Sequence, residues 1–469
     1  MRKIWLLFVL TLVTGCSMIE QGPTSSSLMY ADFEARTLDN PRLKEFIESN
    51  LNREMTPWPP ASWDVATLTL VAFYYHPDLD IARARWAQAK GGVTTASRRP
   101  NPTADTRYQY VSNPEPDTSV SVSESTLFFP IEAIGKRRNR IAQAEYLSEA
   151  ARLNIQQTAG DVQNRVCINM VNLYEAMHTE ALLKQNVAFC EENDRLFEER
   201  LRDGELSPLE ATRAHLLLSE ARLALVQGQK QRADSRVQLA NAIGVSPTAL
   251  DDITISFDLP EDTELHLNRR NLQYQALRSR PDVLASLAEY SASQSALKSE
   301  LAARYPDLQL GPGFEWDQGL DKWGISASVP LPVFDRNQGP VSEARARLEE
   351  ASARFTSLQS QAIGEIEQAC TGYEGARREL EIADGILRQQ EQQYNFIRAM
   401  TRPGEVQRAA ILIAHQQLHS AGLSRIAASC KLRRSVAQLE MVTRLPFCTS
   451  GPSPRVPELN PRKIQFSKK

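Results

Sequence analysis

No stretch of this 469-residue chain approaches the ~20 consecutive apolar residues that a bilayer-spanning helix needs. Any passage through a membrane would have to be made with strands. The charge balance is equally uneventful. Lys and Arg number 54 against 57 Asp and Glu, a formal net charge of -3, so no basic field points to nucleic acid. Cysteine is scarce, at six, and no two form a C-x-x-C pair. Catalytic signatures are missing too. There is no G-x-S-x-G and no H-E-x-x-H, and the "GKRR" at 135–138 lacks the glycine loop of a phosphate site. Of the six histidines only His415 and His419 stand at metal-ligand spacing, with no third ligand near them in sequence, which makes a packed or solvated helix face the better reading. No enzyme, metal or cofactor is expected. Proline is absent from 131–203 and from 341–402.

What is present begins with a targeting segment. Arg2 and Lys3 precede an apolar run over 4–13, followed by "LVTGC". That run is too short to span a bilayer, and small residues just before a cysteine match a bacterial lipoprotein signal. The expectation is removal of 1–15 and acylation, for example palmitoylation, of Cys16; Ser17 follows it, and no Asp argues for inner-membrane retention. An ordinary secretory signal with a chance cysteine is the alternative. Five cysteines remain, so in an oxidising compartment at least one stays unpaired within the chain.

Residues 16–60 read as a polar linker with one short helix near 41–51. After it the chain repeats itself, 61–250 and then 251–446. "YYHPDLDIARARWAQAK" parallels "RSRPDVLASLAEYSASQ", and "ASRRPNPTADTRYQY" parallels "AARYPDLQLGPGFEW". His76 and Arg280, Pro102 and Pro306, and Cys167 and Cys370 all lie about 204 residues apart. Each copy reads helix, strand, strand, long helix, helix. Strands are expected over about 103–127 and 306–333, with "GPG" at 311–313 suggesting a bulge or bend. Long helices are expected over about 131–203 and 338–402. A seven-residue ladder runs Val341, Leu348, Phe355, Ala362, Ala369, Ala376, Ala383. Ile134, Ile141, Ile155, Val162, Ala176, Leu183, Cys190 and Phe197 keep the same spacing, interrupted by Ser148 and Asn169. That period means coiled-coil packing.

Each long helix ends in a reversal. In "RLRDGELSPLEA" Gly204 suits the C-terminal stop, Ser207 the next N-cap, Pro208 the first helical position and Glu210 the positive end of the new helix. In "RAMTRPGEVQ" Thr401 suits the cap, with Pro403 and Glu405 matching Pro208 and Glu210. The "RPDV" at 280–283 reads as a helix start, with Ser279, Pro281 and Asp282 as its capping chemistry.

The paired "HPDL" and "RPDV" starts, the junctions "FFPIEAIGKRRNR" and "PLPVFDRNQGPVSEARA", and the hairpin "RLRDGELSPLEA" together resemble the TolC-like outer-membrane efflux factors, over almost all of 63–447. "LPVFDRNQG" most resembles the heavy-metal cation efflux branch. The resemblance implies a mainly α fold with a small β part. It implies homotrimers in which each protomer donates four strands to a twelve-stranded β-barrel in the outer membrane and its long antiparallel coiled-coil hairpins to a periplasmic α-barrel. It implies a passive exit duct served by a periplasmic adaptor and an inner-membrane pump of the RND type. It also implies that the hairpin tips close the periplasmic entrance and meet the adaptor. Those tips are Arg200, Arg202, Asp203, Gly204, Glu205, Ser207 and Leu209 in copy one, and Arg398, Thr401, Arg402, Pro403 and Glu405 in copy two. Two departures stand out: the second tip lacks a glycine matching Gly204, and the first strand pair, with "NPEPD" between its strands, is polar for lipid contact. The segment 447–469, Pro-rich and basic, reads as a disordered tail. A periplasmic coiled-coil lipoprotein adaptor or scaffold is the alternative; an adaptor should carry one hairpin, and here there are two. A lipid-anchored cell-wall enzyme, a third class, finds no catalytic constellation.

Overall fold

The computed structural model describes residues 26–110, 112, 121–251, 253–257, 265, 267–317, 319–400 and 405–445. Cys16, the signal segment, the "NPEPD" loop, Thr401, Arg402, Pro403 and the 447–469 tail lie outside them. Helices α1 (Ser26–Glu34) and α2 (Pro41–Leu51) lead into α3 (Val65–Tyr75) and α4 (Pro77–Ser97). Strands β1 (Thr103–Tyr110) and β2 (Ser121–Ile131) precede α5 (Lys136–Arg202) and α6 (Pro208–Ile243). The second copy runs α7 (Arg269–Ser279), α8 (Pro281–Ala302), β3 (Leu308–Asp317), β4 (Leu320–Ser328), α9 (Gln338–Met400) and α10 (Glu405–Thr443). The four strands form one antiparallel sheet in chain order.

With 67 and 63 residues, α5 and α9 are each roughly 95–100 Å long at ~1.5 Å per residue. Helix α5 starts at Lys136 rather than 131. Strand β2 continues to Ile131, and Gly135 turns the chain with φ 97 before the first helical turn. Ile134 therefore belongs to the junction, fully exposed, and not to the heptad row. Further along that row Ile155, Val162, Ala176, Leu183 and Phe197 are buried, as are Ala362, Ala369, Ala376 and Ala383 on α9, while Ile141, Cys190, Leu348 and Phe355 are half-buried.

The main core sits midway along the long helices. Helix α3 is apolar on every side, and ten of its eleven residues are buried against α5 and α6. An Asp64–Thr67 capping box starts it. Each large side chain fully buried there, such as Phe73 or Leu70, contributes roughly 1.5–3 kcal/mol. Helix α7 takes the equivalent place on α9 and α10.

One polar contact braces the second copy internally and another ties the two copies together. Arg280, buried at the start of α8, holds Asp282 and the Glu365 carboxylate of α9, each at 2.7 Å. Ser279 does not cap this helix as its place in "SRPD" suggests; its hydroxyl donates back to the Gln275 carbonyl inside α7. At the end of α10, Arg444 adopts φ 57 and donates to Gln157 Oε1 on α5 at 2.6 Å. Its guanidinium lies across Gly160, where a Cβ would collide with it. Gly160→Ala must displace that guanidinium, the far end of a flexible side chain, and disturb its bond to Gln157, which should offset the roughly 0.5–1 kcal/mol that alanine gains over glycine inside a helix. In an Arg444→Ala background the full helix gain should appear, a coupling that denaturation midpoints of the four proteins would reveal.

Candidate functional site

Two regions gather the chemistry: the sheet at one end of the long helices and the α5–α6 turn at the other. In the sheet every Cα partner pair keeps one constant register, including Thr126 with Gly313 and Phe129 with Leu310. The bulge suggested by "GPG" is absent. The glycines serve close approach instead. A Cβ on Gly311 would sit 2.7 Å from Thr126 Cγ2 and 2.9 Å from the Phe128 ring, and one on Gly313 would sit 2.7 Å from Thr126 Oγ1.

Because directly opposed residues share a face, the register sorts the sheet into two surfaces. One carries Asp105, Arg107, Glu124, Glu315, Asp317 and Lys322. Lys322 Nζ lies 2.8 Å from Asp317 and 3.7 Å from Glu315, and Arg107 lies 3.8 Å from Glu124. The other face carries Tyr108, Leu127, Phe129, Leu310, Phe314, Trp316, Trp323 and Ile325. Trp323 and Ile325 are 81% and 84% exposed, on a four-stranded sheet whose apolar side no described residue covers. The polarity noted in the first strand pair also finds its place. Ser123 lies between Tyr108 and Trp316, and Ser125 beside Phe314, so small hydroxyls alternate with large rings across the strands.

At the far end, α5 closes with a complete Schellman arrangement. Glu205 N donates to Arg200 O at 2.9 Å, Gly204 N to Leu201 O at 3.2 Å, and Gly204 has φ 76. Ser207 and Glu210 then form a reciprocal capping box opening α6, with Pro208 at its start. Gly204, Ser207 and Leu209 are exposed at this tip. Arg202 lies 3.6 Å from Glu198, whereas Arg200, Asp203 and Glu205 make no side-chain ion pair among the described residues. Arg398, also exposed, ends the last turns of α9 at the second tip. Glu405 begins α10.

A layer above these tips went unnoticed in the sequence. His415 of α10 stacks on Phe189 of α5, centroids 3.5 Å apart and planes at 10°, with Tyr394 of α9 edge-on at 5.8 Å. Its Nδ1 is buried without a hydrogen-bond partner. The histidine spacing thus marks aromatic packing between both copies, and no group of three metal-ligating side chains forms among the described residues. Burial first, and then the neighbouring His419, lowers the His415 pKa to about 4. The folded state therefore holds a neutral imidazole that the unfolded chain would protonate. Stability should be full above about pH 6.5 and decline as the pH falls toward 4. His415→Phe should flatten that part of a melting-temperature profile.

The family model for outer membrane efflux proteins matches residues 73–245 and 272–443, the two copies. The cobalt-zinc-cadmium resistance protein CzcC of Cupriavidus metallidurans is 26% identical over 283 residues, 59% of this chain and 65% of that protein. The pyoverdine export outer membrane protein OpmQ of Pseudomonas putida is 23% identical over 48% of this chain and 49% of its own. The aligned part thus spans less than two thirds of either relative. Among solved structures, the outer membrane protein VceC of Vibrio cholerae superposes with a TM-score of 0.69 at 18% identity, covering 81% of this chain and 95% of that one.

Proposed function

Because this chain belongs to the outer membrane efflux protein family, we propose that it is the outer-membrane exit duct of an export machine. The observation that carries this reading is a set of contacts the chain begins and cannot finish. Within the chain, α8 and α10 of the second copy pack on α5 of the first. Among the described residues, no comparable packing of α4 and α6 on α9 is made. The surfaces for it stand open. Leu209, Leu216 and Leu223 recur at every seventh position of α6 and are 58–62% exposed, and Ile382 and Phe396 of α9 are each 63% exposed. A second copy rotated into place supplies the absent partner for each, and the sheet edges β1 and β4 meet their neighbours in the same step.

Three copies give twelve strands, the number at which the family resemblance places closure. The apolar sheet face then contacts lipid, and the ion-paired face lines water. Passage is passive, and the driving force belongs to an inner-membrane pump reached through a periplasmic adaptor at the Arg200–Leu209 and Arg398–Glu405 tips. Exposed charge pairs suit such a junction because each is worth only about 0–1 kcal/mol and exchanges readily. The CzcC likeness and the "LPVFDRNQG" junction favour divalent heavy-metal cations as cargo over organic compounds. Acylation of Cys16 would add an anchor in the periplasmic leaflet.

The test is the mass and conductance of the detergent-purified protein. A trimer that forms open pores in planar bilayers is expected; a monomer that forms none would overturn the reading. Ile325→Arg should impair insertion by roughly 2–4 kcal/mol if its site lies near mid-bilayer, while Glu315→Gln on the ion-paired face should insert normally and change only ion preference. A deletion strain should become sensitive to zinc, cobalt or cadmium salts; sensitivity confined to organic toxins would redirect the cargo assignment.

A further inference from the structure

The "GKRR" segment has no part in the duct as described, and its surroundings suggest one. It lies at the end of the sheet where β1 and β3 begin and β2 and β4 finish. Some of its cations are consumed internally. Lys136 pairs with Asp307 at 2.7 Å, Arg137 donates to the Ser97 carbonyl at 2.7 Å, and Arg140 grips Glu132 at 2.6 Å. Five others at the same level are exposed: Arg98, Arg99, Arg138, Arg304 and Arg336. Their guanidinium groups make no ion pair or hydrogen bond among the described residues. Asn337 ties the loop bearing Arg336 to the end of α8 near Arg304, through the Glu300 carbonyl at 2.8 Å. The two copies therefore present their cations on one band.

Apolar side chains stand between these cations. Ile134 and Phe334 are 100% exposed, Leu331 79% and Tyr305 70%. Such bareness is costly against water, yet it suits the boundary of a bilayer, where rings and aliphatic groups dip below the headgroups and cations stay at the phosphates. The band also continues the apolar sheet face, whose last residues at this end are Ile131 and Leu308. We propose that this junction binds anionic phospholipid headgroups in the leaflet nearest the long helices, fixing the depth of the sheet. The proposal rests on the sheet being the membrane-spanning part.

The test uses the full-length trimer and vesicles of phosphatidylcholine with or without phosphatidylglycerol. Lipid retained after detergent extraction is counted by native mass spectrometry at low and high salt. Selective, salt-sensitive retention of phosphatidylglycerol is expected. Changing the five arginines together to glutamine should weaken that selectivity roughly tenfold or more while the trimer still enters neutral vesicles. Changing them to lysine should preserve it. Equal retention of both lipids by the unaltered protein, or undiminished selectivity in the glutamine variant, overturns the proposal. Failure of the unaltered protein to enter either kind of vesicle overturns the membrane reading beneath it.

Discussion

A backbone N–H or C=O that faces hydrocarbon without a partner costs several kcal/mol, so an open sheet cannot rest in a bilayer. This sheet has two open edges, β1 and β4, and an apolar face carrying Tyr108, Phe314, Trp323 and Ile325. The requirement to close those edges is what gives the proposed duct its shape. It asks for other copies, and other copies demand complementary helix surfaces at the same rotation. The open stripes on α6 and α9 are such surfaces, set on elements about 100 Å long. One requirement at the membrane thus reaches the distant tips, because α5 and α9 run without a break from the sheet to the turns.

Within the sheet, the same economy governs the faces. Thr126 and the Phe128 ring lie across Gly311 and Gly313, so the strands stay in register where larger residues would push them apart. The ion pairs of Lys322 keep the opposite face polar without leaving a cation isolated. At the helical junction, lysine and arginine side chains cap carbonyls and pair with Asp307 and Glu132, holding strand and helix in one angle. The rigid turn at Gly204 and the capping box at Ser207 do the equivalent service at the other end.

Much of this was legible in the residues. The 204-residue repeat, the proline-free stretches and the seven-residue ladders gave the element order, and Gly204, Ser207, Pro208 and Glu210 take the roles their types imply. What escaped were choices made by tertiary contact. "GPG" reads as a bulge in one dimension because nothing in the strand reveals that Thr126 and Phe128 of its neighbour need the space. "SRPD" reads as a cap until Arg280 is seen to spend its charge on Asp282 and Glu365. The His415 pair has metal-ligand spacing, but Phe189 and Tyr394 arrive from other helices and make it an aromatic layer. Two-faced strands carry a weak signal for the same reason: Ser123 and Ser125 look polar alone and become filler between rings only when β1 and β3 flank them.

The copies also differ where their equivalence is most instructive. Helix α6 ends at Gly244, φ 85, whose carbonyl accepts from Arg36 of the N-terminal segment at 2.9 Å. Helix α10 ends at Arg444, which holds the same left-handed conformation at a steric cost glycine avoids, and extends over Gly160 to α5. Gly364, the counterpart of Gly160 on α9, has no side chain lying across it. The seam between copies inside one chain is thus fastened in part by a half-buried arginine. In the proposed ring the corresponding seam toward a neighbouring chain would offer a glycine on each side, and its closure would rest on hydrophobic contact between α6 and α9. A ring of that kind, alternating fastened and unfastened seams, would have its compliance concentrated at the boundaries between chains.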